Sequence, residues 1–167
     1  MGALIYNQKE IPKEQWRYGL RASSATGCGW IAAHNALCMM GYRPKPEKVI
    51  AFFEKNAPVL NGNLGTFILT PVAFFKKLGF SVKISNRRET YDVAVKESDA
   101  ALLFYYWRKK MKFGIHYVAL QYREGKFYGC NTYRNSRGLD DYGESLEMFL
   151  KKRKYFCTVL IAIKDKK

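Results

Sequence analysis

Cys28 stands between two glycines in Gly27-Cys28-Gly29-Trp30, where a small-residue loop, Ala22 to Gly27, gives way to an apolar run. If that run is a helix, the thiol sits at its N-terminus, where the positive end of the macrodipole favours a thiolate. The flanking glycines let backbone approach closely and leave room for an attacking substrate. A thiol nucleophile also needs a base, and the sequence has two histidines, His34 and His116. His34 follows Cys28 by six residues, which is about 600° of helical rotation and ~9 Å of rise, so it points elsewhere and reads as structural. His116 lies in the alternating segment Ile115 to Leu120, which predicts a strand, and a strand holds an imidazole rigidly. Asn131 follows His116 beyond the turn Glu124-Gly125, so a hairpin lays the two side by side. An Asn side-chain carbonyl there would accept the ring N–H and fix the tautomer. Cys28, His116 and Asn131 therefore read as nucleophile, base and orienter, in that chain order.

These residues carry a resemblance. Gly27 to Leu37 (GCGWIAAHNAL) resembles the cysteine-helix motif of papain-like cysteine peptidases. The likeness is greatest to the small bacterial peptidases related to the bacteriocin-leader, or double-glycine, processing family. Gly65-Thr66 with a following helix that ends in Lys77-Leu78-Gly79-Phe80 resembles their middle segment, and Gly114 to Leu120 (GIHYVAL) resembles their histidine strand. Asn131 falls where that family carries Asp or Asn. The resemblance spans roughly Gly19 to Tyr133 and implies a papain-like α+β fold, a Cys-His-Asn triad, a peptide or protein substrate, and no metal or organic cofactor. One position departs: the family places a glutamine about six residues before the cysteine as an oxyanion donor, and here Ala22 stands there, with Gln15 too far back. The Cys28 amide remains as a donor, with the Ser23 hydroxyl as a substitute, and Trp30 is expected to line the cleft floor. Losing one oxyanion donor typically costs on the order of 10²–10³ in rate. A slow or specialised acyl transferase and a lapsed enzyme that binds peptide in the old cleft both stay open.

The elements that must position these groups are legible in outline. A helix is predicted from Cys28 to about Met40, stopped at Gly41 and apolar on most faces, hence buried. Pro46 opens a second helix, to Lys55. Thr66 to Leu78 reads as a third, or one that begins at Pro71 with Thr70 as its N-cap, after a loop at Asn61 to Gly65. Strands are predicted at Phe80 to Ile84, Ala100 to Trp107, Ile115 to Tyr122, Lys126 to Cys130 and Cys157 to Ile163, with a helix at Ser145 to Lys152. Ala100 to Trp107 is continuously apolar and so reads as a central strand. Helices first and an antiparallel sheet afterwards make an α+β architecture. We expect one domain over 1–167: an irregular segment 1–18, a helical half 19–79 and a sheet half 80–164.

Composition narrows the function classes. The chain has 167 residues, 48% of them hydrophobic and 16% aromatic, enough to fill a core without disulfides or metal. Four cysteines with no CxxC pair, and only two histidines, do not build the usual zinc spacings. Cys38 and Cys157 read as packing residues, and Cys130 is expected to point the other way along its strand from Asn131. No apolar run approaches the ~20 residues of a membrane span, and no signal peptide is seen, so a reducing, cytoplasmic setting is expected. Twenty-nine Lys and Arg against 14 Asp and Glu give +15. The runs Arg108-Lys109-Lys110 with Lys112, and Lys151 to Lys154, would attract an acidic substrate or a polyanion. Aromatics lie among them, but no nucleic-acid motif accompanies them, which leaves a basic nucleic-acid-binding module as the lesser alternative.

Overall fold

The computed structural model describes residues 3–56, 66–109 and 111–166; the side chains of Lys109 and Lys112 also lie outside this description. The loop predicted at Asn61 to Gly65, the glycine of Gly65-Thr66 and the Lys110 part of the basic run therefore lie outside the described residues.

The chain opens with a stretch that side chains tie down. A 3-10 turn, Gln8–Glu10, is capped by the Asn7 side chain, which accepts from the Lys9 N–H. Asn35 holds Ile5 at both its backbone groups, accepting from its N–H at 2.8 Å and donating to its carbonyl at 2.9 Å. Within the segment expected to be irregular, 1–18, the described residues from Ala3 to Trp16 form a strap laid on the core. A short ribbon follows, β1 (Arg17–Tyr18) with β2 (Arg21–Ala22), and then a single helical turn, α1 (Ser23–Thr26).

Helix α2 (Cys28–Met39) is buried at all twelve residues, as its all-round apolar pattern requires. It closes at Gly41, φ +90°, with the Tyr42 N–H donating to Leu37 and the Gly41 N–H to Cys38. Helix α3 (Pro46–Lys55) begins at its proline as predicted and buries Val49, Ile50 and Phe53. Helix α4 (Thr70–Lys77) is shorter than a helix from Thr66 would be. Pro71 sets the limit: its ring would clash with the Phe67 carbonyl if the helix ran through.

The rest builds an antiparallel sheet from β3 (Ser81–Ser85), β4 (Ala100–Lys109), β5 (Lys112–Arg123), β6 (Lys126–Cys130), β7 (Asp140–Gly143) and β8 (Phe156–Lys164). Their order across the sheet is β3-β8-β4-β5-β6-β7. Helix α5 (Tyr91–Lys96) falls between β3 and β4, and α6 (Leu146–Arg153) between β7 and β8. Alternate residues of β4 serve two cores. Ala100, Leu102 and Phe104 pack with α2, α3 and α4; Ala101, Leu103 and Tyr105 pack with α5 and α6. A strand buried on both faces must be continuously apolar, which explains the Ala100 to Trp107 run. Among the described residues no helix is long and apolar enough to cross a membrane, and no group of three or more His, Cys, Asp or Glu is placed to hold a metal.

Candidate active site

Cys28 opens α2 against β5. Its sulfur is served by backbone N–H groups of Cys28 and Gly29, from the helix end, and of Tyr117, from the strand. These favour thiolate, as does the charge of Lys9. Burial outweighs them: Cys28 is 6% exposed, and loss of solvent pushes its thiol up from the ordinary value. The helix end favours thiolate, as expected, but burial is the larger influence and opposes it.

His116 neighbours Tyr117 on β5 and pairs with Tyr105 on β4, whose ring it meets edge-on at 5.8 Å. Its Nε2 lies 2.6 Å from the backbone carbonyl of Asn131. A carbonyl only accepts, so Nε2 carries the proton and Nδ1 is left unprotonated, the tautomer a base requires. Burial holds the imidazole below its ordinary value, and the Lys9 cation pushes the same way. Pleating separates the neighbours on β5: Tyr117 packs in the core that holds Cys28, while His116 stands beside Tyr105 of the other core. Among the described residues no hydrogen bond joins the Cys28 thiol to His116.

Asn131 corrects the orienter reading. Its backbone carbonyl, not its side chain, meets His116. The side chain turns to the strap, where Oδ1 accepts from the Gln8 N–H at 2.9 Å and Nδ2 donates to Gln8 Oε1 at 3.1 Å. The cause is local. Asn131 has φ +64°, a conformation asparagine tolerates, so the chain leaves β6 with carbonyl and side chain on different partners.

Ser23 and Trp30 also need correction. Both are fully buried, and the Trp30 indole N–H donates to Ser23 Oγ at 3.1 Å. Trp30 follows Cys28 by two residues, about 200° around the helix, so it faces the interior and not a cleft. Nor do the glycines leave space for substrate. A Cβ on Gly27 would stand 2.6 Å from the Ser23 carbonyl and 2.6 Å from Trp30 Nε1; one on Gly29 would stand 2.3 Å from Thr66 Oγ1.

His34 is structural, as read: buried, with Nε2 3.0 Å from the Ala3 carbonyl and 3.5 Å from Cys38 Sγ. Cys38 and Cys130 are buried packing residues, pushed up by burial to about 11 and about 12, whereas Cys157 is exposed.

Two residues escaped the sequence reading. Gln8 is buried and its Nε2 donates to the Ser24 carbonyl at 3.4 Å. Lys9 Nζ donates to the same carbonyl at 2.6 Å, and its charge is felt by both Cys28 and His116. The strap brings Gln8 onto Asn131, 123 residues away in sequence, and onto the Ser24 carbonyl. No local spacing signals that approach.

The fold is similar to that of the peptidase domain of Streptococcus ComA, a bi-functional ABC transporter involved in a quorum-sensing pathway. The TM-score is 0.51 at 16% sequence identity, covering 83% of this chain and 92% of that domain. No family model and no curated protein matches the chain. The fold class is therefore the one expected: α+β, with helices packed on an antiparallel sheet as in that peptidase domain.

Proposed function

We propose that the chain is a single papain-like domain, related to the double-glycine processing peptidases, that performs cysteine-dependent hydrolysis or acyl transfer on a peptide. The observation that carries this is the Cys28 thiol at the head of a buried helix, on the Tyr117 N–H, one residue from an imidazole whose Nε2–H is already fixed. Burial favours neutral thiol and neutral imidazole, so His116 acts here as a general base and not as a resting ion-pair partner. His116 Nδ1 takes the thiol proton as Sγ bonds to the carbonyl carbon. The imidazolium then gives that proton to the leaving amine as the C–N bond breaks. Water, deprotonated by the same nitrogen, releases the acyl group as an acid and restores the thiol. Transfer requires the two side chains to close up when substrate binds, as catalytic hydrogen bonds commonly do. The Cys28 amide and the positive potential of Lys9 serve the developing oxyanion. Asn131 contributes through its backbone carbonyl.

The missing Cys28–His116 hydrogen bond favours a second reading, a peptide-binding domain on the same fold with an inert thiol. Alkylation of each cysteine by iodoacetamide, followed by mass spectrometry from pH 6 to 10, separates them together with cleavage of a fluorogenic peptide pool. The enzyme reading expects Cys28 to react faster than Cys38 and Cys130. It also expects His116→Ala to slow Cys28 at least tenfold near pH 7.5, and Cys28→Ala to abolish cleavage. A Cys28 as slow as Cys38, indifferent to His116→Ala and without cleavage, overturns the enzyme reading and favours the peptide-binding one.

A further inference from the structure

A cavity of about 660 Å³ opens at the far end of α2 from Cys28, between that helix, α3 and α4. Leu37, which lines it, is nine residues from Cys28, about 14 Å along the helix axis. Its floor is apolar: Leu37, Val49, Phe52 and Phe74 contribute, with Phe80 closing one side. Its rim carries four cations, Arg43, Lys45, Lys48 and Lys77. None of the four forms a salt bridge among the described residues. Lys77 Nζ is held 5.5 Å over the Phe52 ring, so one positive charge overhangs the floor. The uncapped N-terminus of α3, at Lys45, adds its positive end to the same side. The one carboxylate on the lining among the described residues, Asp165, accepts from the Tyr42 hydroxyl at 2.5 Å.

The chemistry of this lining selects its ligand. Apart from Tyr42 and the charged residues, no lining side chain among the described residues offers a hydrogen bond, so a sugar or an extended peptide would bury unsatisfied polar groups. The volume falls in the range of small-molecule sites, about 300–1,000 Å³. It equals a cube roughly 9 Å on a side, narrower than a helix with its side chains, ~10–12 Å across. An apolar body with one anionic head matches both floor and rim. We propose that this cavity binds a free, single-chain fatty-acid carboxylate, with the chain on Phe52 and Phe74 and the head among Arg43, Lys45, Lys48 and Lys77.

Displacement of a dansyl-undecanoate probe by straight-chain ligands, below their micelle concentrations, tests this on the whole chain. Dodecanoate is expected to bind with one-to-one stoichiometry. Decanoate should bind roughly fifteenfold more weakly, since it lacks two methylenes and each buried methylene is worth about a factor of four. Dodecan-1-ol should bind at least tenfold more weakly than dodecanoate. The triple variant Arg43→Gln, Lys45→Gln, Lys48→Gln alters exposed side chains only and should erase the preference for carboxylate over alcohol. A matched triple elsewhere, Lys13→Gln, Lys126→Gln, Lys152→Gln, should retain it at the same net charge. Equal weakening by both triples means adsorption to a basic protein and overturns the proposal. So does the absence of saturable dodecanoate binding, or binding seen only with anionic vesicles or an acidic helical peptide.

Discussion

Asn131 shows how much a single residue can hide. Its type and position were readable, and so was its neighbourhood with His116 across the β5–β6 hairpin. The orienter reading puts the contact on the side chain, and the structure moves it to the backbone carbonyl. Because φ is +64°, the residue ends the strand, and its backbone carbonyl takes the imidazole N–H while its amide holds Gln8. Which atom makes which bond follows from one dihedral angle, and no sequence spacing encodes it. Asn131→Gly keeps that conformation available and keeps the carbonyl, but strands the buried Gln8 N–H. The expected cost is about 1–3 kcal/mol in urea unfolding, the usual penalty for a buried donor left unpaired. The His116 imidazole titration followed by NMR should stay where it is in the parent. A large move of that titration would return the orienting role to the side chain.

At the scale of elements, period and punctuation carried most of the reading. Pro46 marked the start of α3, Gly41 the end of α2, and the apolar β4 run marked a strand covered on both faces. What went unseen is either too short to show a period or held by distant partners. Helix α5 has six residues and rests on Tyr91 and Val95; β7 has Tyr142 as its one buried side chain. The strap is fixed by Asn35 and Asn131, far away in sequence. The glycines around Cys28 were visible, but their reason was not, because Thr66 approaches Gly29 from another element. On an open helix surface Gly→Ala gains about 1 kcal/mol. At Gly29 the new Cβ would stand 2.3 Å from Thr66 Oγ1 and 2.5 Å from Thr66 Cβ. The sign therefore reverses, and Gly29→Ala should destabilise by about 1–3 kcal/mol, the usual cost of overpacking. Adding Thr66→Gly should return part of that loss, a coupling that a thermal-melt double-mutant cycle reads directly. Strictly additive losses would mean the two residues do not meet.

Across the whole molecule, acid sensitivity follows from the two histidines, which lie on different cores yet titrate in the same direction. Burial is the largest influence on each and holds both below the ordinary value of 6.5. The Glu47 charge opposes this only as a lesser influence on His34, whose Nδ1 is buried without a partner among the described residues. The unfolded chain therefore binds protons that the folded chain refuses once pH drops below about 6.5, so stability rises with pH through that window and is lost as pH falls through it. Glu47, Glu89 and Asp141 are held below their ordinary carboxylate values and add a second loss in a lower window, beneath about pH 4.5. The +15 charge adds self-repulsion, but salt screens repulsion and does not rehydrate a buried imidazole. Urea midpoints measured from pH 8 to 5 should thus be level above pH 7 and decline below 6.5, with the decline surviving 0.5 M salt. His34→Phe should flatten part of that slope and leave the rest to His116. A midpoint that holds steady down to pH 5, or a slope that salt abolishes, would show that net charge and not histidine burial governs the acid limit.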